Sequence, residues 1–137
     1  MIKANKKGFT LIELMVVIAI IAILATVVLV SLQSARDRAE DTNRVSAVTQ
    51  IRSFAEVYRS GLTTLSYDGL DEEAEIEDTL TKYADELDLV ISSDGENYCA
   101  EIELKTGGFY CVDSSLTAKD NSDKTTRTCA SGNISCN

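Results

Sequence analysis

Two sets of residues in this chain have the chemistry to do something beyond packing. The first is Glu13, the one charge inside an apolar stretch. No charged residue occurs from Leu14 to Ala35, so Glu13 sits at the edge of a segment of roughly 20 apolar residues, long enough to cross a bilayer as a helix. An acid near mid-span costs about 2.5–3.5 kcal/mol on insertion scales, and less toward the end. A carboxylate kept there is a functional candidate whose partner must be a cation. The second set is Cys99, Cys111, Cys129 and Cys136, all in the C-terminal third. An even number of cysteines in a translocated domain reads as disulfides.

Other chemistries have no material to work with. The chain lacks histidine, which removes Ser-His-Asp and Cys-His catalysis and the commonest neutral zinc ligand. It has no phosphate-cradling glycine loop and no paired-acid signature, so nothing points to an enzyme, a cofactor or a metal. Net charge is −9, and beyond Lys7 it is −12, with 10 cations against 22 acids. That balance argues against nucleic acid as the main partner. The acids Asp71, Glu72, Glu73 and Glu75 lack the alternating loop pattern of calcium sites and read as a solvated helix start. Asp113, Asp120 and Asp123 show no calcium-ligand pattern either. Asn133-Ile134-Ser135 is a glycosylation sequon of weak weight.

The elements that must carry these residues follow from breakers and periodicity. The chain has no proline, and no glycine lies between Gly8 and Gly61. One helix is therefore predicted from about Thr10 to Ser60, on the order of 75 Å long. Its first half is apolar all round. In its second half Val45, Val48, Ile51, Ala55 and Tyr58 form one stripe, with Arg36, Arg38, Glu40, Asp41, Arg44, Arg52, Glu56 and Arg59 mostly on the other side. After a Gly61–Gly69 loop, Asp71–Leu87 reads as a shorter helix and Leu89–Ile91 as a short strand. Tyr98–Leu104 and Phe109–Asp113 form a hairpin about Lys105-Thr106-Gly107-Gly108. On its first strand Tyr98, Ala100, Ile102 and Leu104 face one way, and Cys99, Glu101 and Glu103 the other. The sequence beyond Ser114 reads as a polar tail.

Read together, the basic leader (Lys3, Lys6, Lys7), Gly8-Phe9-Thr10-Leu11-Ile12-Glu13-Leu14 and the apolar run closely resemble the type IV prepilin signature of pilins and type II secretion pseudopilins. The resemblance covers residues 1 to about 35; the later layout is similar in outline. It implies an α+β type IV pilin fold, a lollipop whose helical stem packs on a small domain with a short helix and antiparallel strands. It implies a leader at 1–8, a transmembrane and filament-core half-helix at 9–32, and the rest of the helix with an extracytoplasmic domain at 33–137. Prepilin peptidase is expected to cut between Gly8 and Phe9 and to methylate the new Phe9 amine. Glu13 of one copy is then expected to meet the Phe9 amine of another, setting the stagger between subunits. The implied function is a structural pilus subunit serving adhesion, twitching motility or DNA uptake. A pseudopilin of a type II secretion system is the near alternative, and a membrane-anchored, non-polymerising binding domain the far one. Implied partners are further copies and other pilins in a helical filament, prepilin peptidase, the assembly platform and the membrane. Lys6 and Lys7 hold the leader in the cytoplasm. The subunit is thus a single-pass protein of the bacterial inner membrane before it enters an extracellular pilus or periplasmic pseudopilus. Many pilins carry a proline near the position of Val30, and Val30 with Ala22 predicts a straighter helix here.

Four cysteines permit three pairings. Short loops favour Cys99–Cys111 and Cys129–Cys136, the first tying the hairpin. A two- or four-residue hairpin loop sets Cys99 and Cys111 on opposite faces. A three- or five-residue loop, or a bulge, sets them on one face, so the bridge demands an irregular hairpin.

Overall fold

The computed structural model describes residues 8–121, 126–129 and 134–136. The basic leader residues Lys3, Lys6 and Lys7, together with Asp123 and Asn133, lie outside the described residues. The chain divides into two compact units, one up to Arg36 and one from Asp37.

The architecture is α+β, as the sequence predicts and consistent with the pilin fold. Helix α1 runs unbroken over Leu11–Gly61, as expected of a segment without proline or internal glycine. A 3-10 turn at Leu70–Glu72 precedes α2, Ala74–Lys82. Four strands follow: β1 Leu87–Ile91, β2 Tyr98–Glu103, β3 Phe109–Asp113 and β4 Ala118–Asn121. They form one antiparallel sheet in chain order. The helix expected over Asp71–Leu87 is thus split and shorter. Glu73, with φ −71° and ψ 133°, is extended and separates the turn from α2. Strand β1 begins at Leu87 rather than Leu89, and part of the expected polar tail is β4. Beyond its hydrogen-bond partner β3, β4 exposes Ala118, Lys119 and Asp120, and periodicity gives little warning of so polar an edge strand.

In the first unit, the large apolar side chains between Phe9 and Leu32 are exposed, from 48% at Val17 to 85% at Phe9. In the second, Val48, Ile51 and Ala55 of α1 are buried with Tyr67, Leu70, Ile76, Tyr83 and Leu87. Tyr98, Ala100, Ile102 and Val112 join them from the sheet. The inward row of β2 is the one its alternation predicts.

Two charged residues expected on the outer side of α1 are buried instead: Asp41 and Arg44. The β2–β3 turn closes over them. Asp41 accepts the backbone N–H of Lys105 at 2.5 Å and of Thr106 at 3.1 Å, and the Thr106 hydroxyl at 2.5 Å. Arg44 donates to the Glu103 carbonyl at 2.6 Å, to Glu86 at 2.7 Å and to Glu40 at 2.9 Å. Lys105 Nζ completes the network on Glu86 at 2.8 Å. Helical periodicity marks which side a charge occupies on α1, but not which loop will supply its partners.

The hairpin register corrects the pairing of cysteines. Glu103 pairs with Phe109 across five connecting residues, so Glu101 opposes Cys111 and Cys99 opposes Asp113. Cys99 and Cys111 therefore do share a face, as an odd loop requires. Yet the bridges are Cys99–Cys129 and Cys111–Cys136, each with Cα atoms 5.7 Å apart. The expected Cys99–Cys111 and Cys129–Cys136 pairing is not formed. Cys99 and Cys111 are diagonal rather than directly opposed, and diagonal neighbours stand roughly 7–8 Å apart, beyond the usual span of about 4.4–6.8 Å. The C-terminal segment reaches this face instead. Arg127 pairs with Asp88 and donates to the Asp85 carbonyl at 2.9 Å, tying the same segment to β1. Each bridge stabilises by about 2–4 kcal/mol in the chain-entropy view.

Burial pushes the Asp41 carboxyl up, but the hydrogen bonds from Thr106 and Lys105, with Arg44 nearby, outweigh it and leave the group below its ordinary value. Hydrogen bonds from Lys105 and then Arg44 hold Glu86 low as well. Groups more acidic when folded stabilise fully above their unfolded pKa, and that contribution is lost as pH falls through the folded value. Thermal stability of the full-length protein in detergent should therefore hold from about pH 7 to 5 and fall below about pH 4. Asp41→Ala strands the Lys105 and Thr106 N–H groups, and should cost about 1–3 kcal/mol in urea unfolding at neutral pH. It should also shrink the acid-limb drop.

Candidate functional site

The site begins where the apolar helix begins. Gly8, Phe9 and Thr10 precede α1, and all three are exposed. Among the described residues, its chain neighbours aside, no atom lies within 4 Å of where a Cβ on Gly8 would stand. The packing of the described residues does not require glycine there.

Thr10 and Glu13 close the first turn on themselves. The Thr10 backbone N–H donates to Glu13 Oε2 at 2.8 Å, and the Thr10 hydroxyl donates to the same oxygen at 2.7 Å. The Glu13 N–H points back to Thr10 Oγ1 at 3.4 Å. This is the reciprocal capping box of a Thr-x-x-Glu sequence, with Thr10 as the cap and Glu13 three residues in. The Leu14 N–H to Thr10 carbonyl bond, at 3.4 Å, then opens the helical ladder. Thr10 is a site residue that the sequence reading missed, although Thr-Leu-Ile-Glu ahead of an apolar run carries the signal.

Glu13 therefore has hydrogen-bond donors but no cation within this turn. It borders a shallow groove on α1 with Phe9, Ile12, Val16 and Val17, apolar apart from the carboxylate itself. These positions recur at three- and four-residue steps and share one side of the helix. The structure thus brings Gly8, Phe9 and Glu13 together at one helix end. What is assembled is a carboxylate on an apolar surface, close to the residue that would become the N-terminus if the chain were cut after Gly8.

Residues 3–29 match the family model of the prokaryotic N-terminal methylation motif. The chain carries the class III signal peptide of type IV pilins and pseudopilins. No curated protein and no solved structure matches the chain. The methylation motif implies processing by prepilin peptidase and pilus assembly, and the family it marks is structural. It spans the capping box and most of the exposed apolar surface of α1. Together with a helix apolar enough to cross a membrane, it is consistent with the membrane anchoring of a prepilin.

The remaining residues singled out in the sequence lie elsewhere. The four cysteines are bridged in the second unit. Glu73 occupies the N-cap position of α2 without a side-chain hydrogen bond, Glu75 lies in the first turn, and Asp71 and Glu72 fall in the 3-10 turn before it. Asp113 is buried, with both carboxylate oxygens accepting backbone N–H bonds, and Asp120 is exposed on β4.

If the capping box holds the first turn, Thr10→Ala should release it by about 1 kcal/mol. Amide hydrogen exchange at Glu13 and Leu14, whose N–H groups bond to Thr10, should then accelerate about fivefold in detergent micelles. The same substitution should leave exchange in the sheet unchanged.

Proposed function

We propose that this chain is the precursor of a structural pilin, cut after Gly8, methylated on the Phe9 amine and polymerised through α1 into a type IV filament. The observation that carries this reading is Glu13: a carboxylate with no cation partner among the described residues, on an otherwise apolar and exposed helix surface. An exposed apolar surface of this extent must be covered by lipid or by other helices. Cleavage after Gly8 supplies the missing cation four residues from Glu13. Thr10 already engages Glu13 from within the first turn, and the amine of a neighbouring copy can approach along the apolar groove. An amine–carboxylate pair in apolar surroundings is directional and allows one axial offset, while apolar packing along α1 supplies most of the attraction.

The open environment of Gly8 fits the cleavage role. A glycine with no packing duty among the described residues suits a peptidase subsite that admits no side chain. The leader before it then stays cytoplasmic, residues 9–32 occupy the membrane and afterwards the filament core, and residues 33–137 form the extracytoplasmic part. Catalysis has no place in this reading.

A pseudopilin shares the motif, and the two part on phenotype. Deletion of a pilin removes surface filaments seen by electron microscopy; deletion of a pseudopilin blocks secretion without such a loss. Adhesion, twitching motility and DNA uptake are the roles to assay once filaments are found.

Intact-mass analysis of the protein from its native membrane should find a chain that begins at N-methylated Phe9 and is four hydrogens lighter than the fully reduced form. Recovery of the Met1 chain from cells with a working prepilin peptidase overturns the precursor reading. Glu13→Leu should leave the protein in the membrane and abolish filaments. Normal function in that variant would instead identify a non-polymerising anchor.

A further inference from the structure

The sheet face opposite the apolar core carries an arrangement that occurs twice. The four sulfurs are crowded: Cys99 Sγ lies 3.5 Å from Cys111 Sγ, and Cys111 Sγ lies 3.4 Å from Cys129 Sγ, although neither pair is bonded. Sulfur proximity alone therefore does not choose among the three pairings open to four cysteines. Strand geometry disfavours a Cys99–Cys111 bridge, and the choice that remains is between the two interleaved pairings, of which Cys99–Cys129 with Cys111–Cys136 is the one formed.

Glu101 follows Cys99 by two residues on β2, and Asp113 follows Cys111 by two residues on β3. Residues two apart on a strand share a face, so each acid stands beside its cysteine. Both carboxylates are buried, at 0% and 1% exposure. Glu101 Oε2 accepts the backbone N–H of Thr128 at 2.7 Å and of Cys129 at 3.1 Å, and Oε1 accepts the Thr128 hydroxyl at 2.6 Å. Asp113 Oδ2 accepts the backbone N–H of Cys136 at 3.0 Å, while Oδ1 accepts those of Ser115 and Thr117. The amide contacts and the bridges obey the same rule. The acid after Cys99 holds the cysteine bonded to Cys99, and the acid after Cys111 holds the cysteine bonded to Cys111.

Each Cys-x-acid segment is thus a seat with two points of attachment, a carboxylate for the incoming backbone and a sulfur for the incoming thiol. The seat works before any bond forms, because hydrogen bonding to a charged acceptor does not depend on oxidation. A buried carboxylate without donors is strongly unfavourable, so an arrangement that leaves a seat empty is disfavoured. With Cys99–Cys111 and Cys129–Cys136 bridges, no covalent link would hold the C-terminal segment over either acid. Exchanging the partners would pull Cys129 away from Glu101 and Cys136 away from Asp113.

We propose that Glu101 and Asp113 are positioning residues for disulfide formation, which seat Cys129 and Cys136 ahead of oxidation and so select the interleaved pairing. Each bridge then forms with loss of two thiol protons and two electrons to a disulfide oxidant, which is reduced to its dithiol. The two seats let a polar C-terminal segment find its place on the sheet without an apolar surface of its own.

The test is oxidative refolding of the reduced, denatured full-length protein in detergent with glutathione disulfide as oxidant, followed by non-reducing tryptic mapping. Cleavage after Lys82, Lys105, Lys119 and Arg127 puts Cys99 and Cys111 on separate peptides and Cys129 with Cys136 on a third. Interleaved pairing yields one three-peptide species, and local pairing releases the third peptide with an internal bridge. Fragmentation between Cys129 and Cys136 separates the two interleaved forms. Wild type should recover the native pairing in most molecules. Glu101→Ala, which leaves the Asp113 seat intact, should lower the native fraction in part, and Glu101→Ala combined with Asp113→Asn should reduce it to no more than about half, the share left when the two interleaved pairings compete equally. Asp113→Asn alone should also lower it in part, since an amide whose oxygen serves Ser115 and Thr117 turns N–H against the Cys136 N–H. Glu101→Gln, whose oxygen can still take both amides while its NH2 meets the Thr128 hydroxyl, should regain at least half of the lost fraction. Val112→Ala, which weakens the core on the other face and leaves both seats intact, should pair as wild type. Wild-type pairing in the variant that combines Glu101→Ala with Asp113→Asn overturns the proposal. So does equal scrambling in Val112→Ala, or no recovery in Glu101→Gln.

Discussion

Glu103 pairs with Phe109 across five connecting residues, and the second unit depends on that offset. In an antiparallel pair, directly opposed residues share a face, so one register sorts every side chain on β2 and β3. Here it places Ala100 and Ile102 with Val112 and Tyr110 on the apolar side. It gathers Cys99, Glu101, Cys111 and Asp113 on the other. A slip of one residue would set Cys111 opposite Ile102, dividing the cysteines between the two faces and driving the acids of one strand into the core. The hairpin turn is fixed at its far end by Asp41 and beside it by Arg44, so the helix also contributes to holding the register. Gly107 and Gly108, at φ 106° and 78°, permit the turn itself.

Charge is used in two opposite ways along this chain. In the second unit, buried ions are surrounded by partners: Asp41 by three donors, Arg44 by two carboxylates and a carbonyl, Glu101 and Asp113 by backbone amides. Such groups add little net stability over a well-packed apolar substitute, yet each punishes any arrangement that leaves it unpaired. They act as specificity devices for a small domain with a modest core. In the first unit, the donors to Glu13 among the described residues are the hydroxyl and amide of Thr10. Those contacts satisfy hydrogen bonding but not charge, which leaves the carboxylate open to a cation brought by another chain.

The sequence alone was enough to read the unbroken helix, because it depends on what is missing: proline, and any glycine between Gly8 and Gly61. Alternation gave the hairpin and the inward row of β2, and the string from Gly8 to Leu14 with its apolar run gave the methylation motif. These are local properties, carried by neighbouring residues and by periods of two or 3.6. The capping box was equally local and was there to be read in Thr10 and Glu13.

Other features required distant segments to meet. Whether Asp41 and Arg44 face solvent or protein depends on a turn more than sixty residues further along, at Lys105 and Thr106. Strand β4 exists because β3 offers it a hydrogen-bonding edge, since Ala118–Asn121 has no apolar alternation to announce it. The disulfide pairing is the clearest case. Loop length favours cysteines close in sequence, whereas bonding follows the separation of Cα atoms and the directions of their Cβ atoms. That geometry is set jointly by the hairpin register and the path of the C-terminal segment, neither of which is encoded in the spacing of the cysteines. The sequence by itself determined the elements and the chemistry at the N-terminus; the tertiary structure alone decided which buried charges and which sulfurs became partners.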